Sequence, residues 1–166
     1  MKANLGKGIL AGVVAGLAAS WTMDRFQDVW LALAPPDQGG SETQPQADAA
    51  DENATVKAAS AISQRVFNHS LAPAEKKLAG PAVHYAVGAA SGAVYAATAE
   101  FVPKVTSGFG MLFGAALWLT VDEGAVPLLG LAKGPTEYPP STHIYAFVSH
   151  LVFGATAEGV RRLLRP

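Results

Sequence analysis

Apolar residues crowd into four stretches of this chain, at about 6–23, 81–102, 108–131 and 142–164. Each is close to the roughly 20 residues a helix needs to cross the hydrocarbon of a bilayer. They predict an all-α fold, a four-transmembrane-helix bundle forming one membrane domain over residues 1–166. The first stretch has a second reading, because Lys2 and Lys7 precede an apolar run ending in Ala18-Ala19-Ser20, the pattern of a secretory signal. Its many glycines, its continuation through Trp21 and its echo later in the chain favour a retained helix.

Polar positions organise the rest. The segment 35–53 holds five acidic residues and no basic one, among Pro, Gly, Gln and Ser, and predicts a solvated linker. Val56, Ala59, Ile62, Val66 and Phe67 then recur at helical spacing, predicting an amphipathic helix over about 55–71 within a 35–80 extramembrane connection. Pro73 suits the first turn of the next helix, Gly80-Pro81 predicts a kink, and Pro139-Pro140-Ser141-Thr142 predicts a stop followed by a capping hydroxyl.

The chain also resembles itself. Residues 91–104, SGAVYAATAEFVPK, align with 149–162, SHLVFGATAEGVRR, with seven of fourteen positions identical. A weaker echo sets Gly12, Gly16, Thr22 and Asp24 against Gly110, Gly114, Thr120 and Asp122; two independent Gly-x-x-x-Gly faces explain it equally well. If both echoes hold, the bundle is two tandem helical hairpins related by an axis along the membrane normal. Gly8, Gly12, Gly16, Gly92, Gly110, Gly114 and Gly154 are then packing positions, because in lipid close backbone approach is what holds helices together.

Composition narrows the functional classes. Half the residues are hydrophobic, 15% are charged, and mean hydropathy is +0.23, an average of apolar segments and one polar stretch. A net charge of −1 gives no basic excess for nucleic acid. Without cysteine there are no disulfides and no thiolate metal sites or nucleophiles. No nucleophile elbow, phosphate loop or dinucleotide fingerprint occurs, which speaks against an enzyme. No cofactor is indicated, and neither a metal nor a haem site has the ligand spacing it needs.

Two layers of ionisable residues remain. Glu100 precedes Lys104 by four, and Glu158 precedes Arg161 and Arg162 by three and four, so each acid can pair along its own helix. These are ion-pair anchors or a proton or cation site. At the opposite ends lie Asp24, His84, Asp122, Glu123, His143 and His150, a titratable cluster or a set of interfacial caps. His143, His150, Gly154 and Glu158 share one helix face, and Gly92, the counterpart of His150 in the repeat, offers room for its imidazole if those two helices meet. The basic flanks Lys2, Lys7, Lys104, Arg161, Arg162 and Arg165 fall on one side and place both termini in the cytoplasm.

From His84 to Arg165 the sequence resembles the YagU-like family of bacterial inner-membrane proteins. The likeness rests on His84, Ala99-Glu100-Phe101-Val102-Pro103-Lys104, Gly110 with Gly114, Pro127-Leu128-Leu129-Gly130-Leu131, Glu137, His150-Leu151-Val152, and Glu158 with Arg161 and Arg162. Asp122 stands where that family is expected to carry histidine. The resemblance implies a multi-pass inner-membrane protein and supplies no reaction. The expectation is therefore a non-enzymatic bundle in the bilayer that binds or passes protons or small cations, within acid or envelope stress tolerance, as a homo-oligomer or beside other membrane proteins. The rival expectation is a structural or accessory subunit of a membrane complex.

Overall fold

The computed structural model describes residues 5–33 and 52–165, which form helices and turns with no strand among them. The acidic linker falls almost wholly outside the described residues. Helix α1 spans Leu5–Leu33. Helix α2, Ala54–Ile62, runs into a wider π turn, Ser63–Phe67. Helix α3 is Pro73–Phe101, α4 is Met111–Leu128 with a π segment at Trp118–Ala125, and α5 is Pro140–Leu164.

The boundaries depart from the hydropathy pattern for local reasons. Helix α1 continues ten residues past Met23, because Asp24, Arg25, Gln27 and Asp28 end the apolar run without breaking a helix. Arg25 and Asp28 pair at 2.9 Å on its exposed side, and Trp30 stacks edge-on against Tyr145 of α5 at 6.1 Å. Helix α2 starts at Asn53, whose Oδ1 accepts from the Val56 N–H at 2.9 Å. Helix α3 begins eight residues before Pro81 and passes through it without ending. Gly80 is buried there against Val56 of α2. The N-cap position of α5 is held by proline rather than a hydroxyl: Pro139 flanks the helix without a side-chain cap bond, and Pro140 fills its first turn.

At the start of α3, the Glu75 carboxylate accepts the Ala72 N–H at 2.6 Å and faces His69 at 3.1 Å. Those contacts, the backbone one first, hold its carboxyl below the ordinary glutamate value. A lowered value means the charged form is the one that stabilises the fold. Its contribution is present above the unfolded value and is lost as pH falls through the folded one. Hydrogen exchange at Ala72, corrected for intrinsic rate, should therefore accelerate on acidification through the carboxylate range, and Glu75→Gln should abolish that dependence.

Helix α1 is central. It packs on α3 at one side and α5 at the other, while α4 packs on α5 and α2 on α3. Both α1–α3 and α4–α5 close backbone to backbone. A side chain at Gly12 would strike the Gly92 carbonyl, and one at Gly16 the Gly88 carbonyl. In the second pair, Gly110 abuts the Gly154 carbonyl and Gly114 the His150 carbonyl. Helices α3 and α5 do not meet through Gly92: the space beside it is filled by the α1 backbone at Gly12 and Gly16, so no imidazole sits there.

These contacts also shift the weaker echo by one turn. Gly12 faces Gly92 and Gly114 faces His150; Gly8 lies against the Glu100 side chain and Gly110 against that of Glu158. Since 92 aligns with 150 and 100 with 158, the equivalent glycines by position are Gly8 with Gly110 and Gly12 with Gly114.

Between α3 and α4 the chain turns through Gly108, Phe109 and Gly110, all at positive φ. Glycine adopts this conformation freely at two of the three positions. Phe109, at φ 54°, is held by Arg162 of α5, whose guanidinium lies 4.9 Å over its ring.

Two helices, Leu5–Leu33 and Met111–Leu128, are long and apolar enough to cross a membrane. Helices α3 and α5, with 29 and 25 residues, have the length, but histidine, serine, threonine and charged residues lower their hydropathy.

Candidate functional site

The charged residues form two sites separated by an apolar plug. Ala19 and Met23 of α1, Tyr95 of α3, and Phe153 and Ala157 of α5 make that plug, with Phe113 and Leu117 of α4 packed on it. Helices α3 and α4 touch there, Tyr95 against Phe113 with ring centroids 4.5 Å apart. Beyond that contact, toward the Asp24 end, both helices line a cavity of about 810 Å³.

All six residues expected of the titratable cluster line this cavity. They come from four helices and stand as three carboxylate–imidazole pairs. His84 Nε2 lies 3.1 Å from Asp24 Oδ1, and the Tyr85 hydroxyl donates to Asp24 Oδ2 at 2.8 Å. His143 Nδ1 lies 2.6 Å from Glu123 Oε1, while its Nε2 lies 2.9 Å from the Pro135 carbonyl. Carboxylate and carbonyl oxygens only accept, so this setting satisfies both N–H groups of an imidazolium. His150 Nδ1 lies 2.9 Å from the Ala146 carbonyl and 3.7 Å from Asp122 Oδ2. The carbonyl again requires a hydrogen on Nδ1.

Helix α4 presents its two acids from the π segment Trp118–Ala125. A π segment widens the turn and changes which residues face a neighbour. Here it sets the consecutive Asp122 and Glu123 against two different histidines of α5. Among the described residues, no three histidine or carboxylate side chains converge as metal ligands would.

The other layer is a closed ion pair. Glu158 is fully buried and accepts from Arg161 Nε at 2.7 Å, Arg161 Nη2 at 3.0 Å, Arg162 Nε at 2.6 Å and the Tyr95 hydroxyl at 2.8 Å. The pairing along α5 is the one its spacing predicts. Glu100 differs: it pairs with Arg165, the residue that follows α5, at 2.8 Å, and Lys104 sits exposed in a 3₁₀ turn, Pro103–Thr106. The helix containing Glu100 ends at Phe101, so the four-residue spacing to Lys104 is not helical spacing.

Sequence reasoning missed Tyr85, Tyr95 and Arg165. The tyrosines read as apolar filling in a chain half of whose residues are hydrophobic. The signal that could have found Tyr95 is its position in the repeat: its counterpart is Phe153, so a hydroxyl appears in one copy only.

No curated protein and no solved structure matches the chain. A family profile described as a protein of unknown function, DUF1440, matches residues 29–159, from the last turn of α1 to near the end of α5. The chain belongs to that DUF1440 family.

Proposed function

We propose that this chain is a non-enzymatic integral membrane protein that takes up protons or binds cations in its Asp24-side cavity and responds to acid. In this reading α1, α3, α4 and α5 all cross the bilayer as two tandem hairpins, with both termini in the cytoplasm of a bacterial cell. The cavity then faces outward. The likeness to YagU-like inner-membrane proteins and the basic residues around the Glu158 end support that orientation.

One observation carries the proposal: three histidines paired with three carboxylates around one cavity among apolar helices. Histidine is the side chain that changes charge near neutral pH. An ionisable group in a membrane span is costly and marks function by default. The plug at Tyr95 and Phe153 stands between the cavity and Glu158, which favours binding over passage in a single chain. Structural change would then come from charging histidines that join neighbouring helices, His84 to Asp24, His143 to Glu123 and His150 to Asp122.

The test is the distance between spin labels on the outer ends of α3 and α4 in lipid nanodiscs. It should change between about pH 7 and about pH 5, the range of histidine titration. A His84/His143/His150→Gln variant should give a flat profile. If wild type is equally flat, the histidines are structural.

A second reading, an accessory subunit, has its own support. Helix α4 packs chiefly on α5 and exposes Leu112 at 62% and Leu119 at 59%, leaving a face for lipid, a second copy or another protein. It gives the histidines no part and expects the flat profile.

A further inference from the structure

We propose that the cavity is a binding site for organic cations that carry a hydrophobic body; this rests on the reading above and names the ligand class of the same site. Its walls include the apolar side chains Val83 and Val87 of α3, Leu117 and Val121 of α4 and Phe153 of α5. The volume of about 810 Å³ lies within the range of sites for drug-sized molecules. A bare inorganic ion needs several oxygens converging to replace its water. The carboxylates here are dispersed, each engaged with its own histidine. A large cation needs much less: one uncompensated negative charge nearby, aromatic faces and apolar walls.

A polar group without a partner points the same way. Ser20 lines the cavity and is fully buried, and its hydroxyl has no hydrogen-bond partner among the described residues. The hydroxyl lies against Gly88, which also lines the cavity. Burying a hydroxyl unsatisfied is unfavourable, and a hydrogen-bonding group on the body of a ligand that reaches the inner end of the cavity relieves it; a cation without such a group binds through charge and apolar contact alone.

The charges around the site set its pH dependence. Helix α1 contributes Asp24, with Arg25 and Asp28 paired to each other one turn away. Helix α3 brings His84 and Tyr85, and α4 brings Asp122 and Glu123. Lys133 and Tyr138 follow α4, and α5 adds His143, Tyr145 and His150. Three carboxylates face Lys133 and three histidines, so negative charge is in excess while the histidines are neutral. Protonating all three reverses the sign. Acid therefore expels the cation.

The probe is tetraphenylphosphonium, whose charge is permanent, so any pH dependence belongs to the protein. Full-length protein in nanodiscs should bind it saturably at about pH 8 and about tenfold more weakly at about pH 5. Asp122→Asn and, separately, Asp24→Asn should each weaken binding about tenfold, and Val121→Trp should abolish it. The neutral triphenylphosphine oxide should not compete. Each variant is first required to match wild type in size-exclusion profile and helicity; two independent carboxylate variants guard against one that fails to fold. Absent saturable binding by wild type, equal competition by the neutral analogue, or unchanged affinity in both carboxylate variants overturns the inference. A wild-type α3–α4 distance that still responds to acid while the probe does not bind rejects the ligand class alone; a flat distance rejects the underlying reading.

Discussion

Replacing Glu158 by Ala should destabilise the fold by about 3–5 kcal/mol, the cost of leaving one side of a buried ion pair unanswered. The carboxylate is fully buried and gathers three guanidinium N–H groups and the Tyr95 hydroxyl. Its removal strands Arg161, only 16% exposed, and a tyrosine 1% exposed. It also removes one polar link between α3 and α5, since Tyr95 belongs to one and Glu158 to the other. Arg162→Gln is the informative control. That side chain is 54% exposed, so water replaces most of what it loses and the cost should stay below about 1 kcal/mol. Denaturant titration in a fixed detergent, followed by far-UV circular dichroism, compares the two. Equal losses would mean that burial of Glu158 is not what makes it matter.

The second large effect is at the α1–α3 seam. Gly12→Leu should cost more than about 3 kcal/mol, beyond the usual range for overpacking, because the new side chain meets backbone rather than a movable side chain. Its first carbon alone would collide with the Gly92 carbonyl and the Ala93 Cα. Helices α1 and α3 must separate to admit it, and α1 carries Asp24 away from His84 and Tyr85. Gly159→Ala gives the opposite sign. A carbon added there finds only the Phe109 ring at 3.8 Å, an ordinary contact, and alanine favours a helix over glycine by about 1 kcal/mol. Thermal unfolding of both variants, with disulfide trapping between engineered cysteines on α1 and α3, checks the pair. Retained trapping in Gly12→Leu would show that the seam is looser than described.

Much of this arrangement is legible in the sequence, for identifiable reasons. Hydrophobic runs locate helices well when lipid-like segments are broken by polar turns, and all four runs correspond to long helices. Their ends are less legible. Polar residues such as Asp24 and Glu75 terminate a hydropathy run but not a helix, so α1 and α3 are longer than the runs within them. The Glu158 pairing could be read because it lies within one helix, where spacing fixes geometry. The Glu100 pairing could not, because it depends on Arg165 being brought from the end of another helix. The neighbourhood of Gly92 was misread for the same reason: which helix faces which is a property of packing, and a glycine does not name its neighbour. The gathering of six titratable residues around one cavity was visible only as a shared depth. The plug beneath them, made of residues indistinguishable from ordinary core, was not visible at all.

The central claim is that the Asp24-side cavity takes up protons as a unit, and proton counting tests it most directly. Purified protein in nanodiscs, brought from about pH 8 to about pH 5 in unbuffered salt, should take up more protons per chain than the His84/His143/His150→Gln variant, which lacks the three imidazoles that line the cavity. Equal uptake by the two proteins would contradict the account and leave these histidines as structural links between helices.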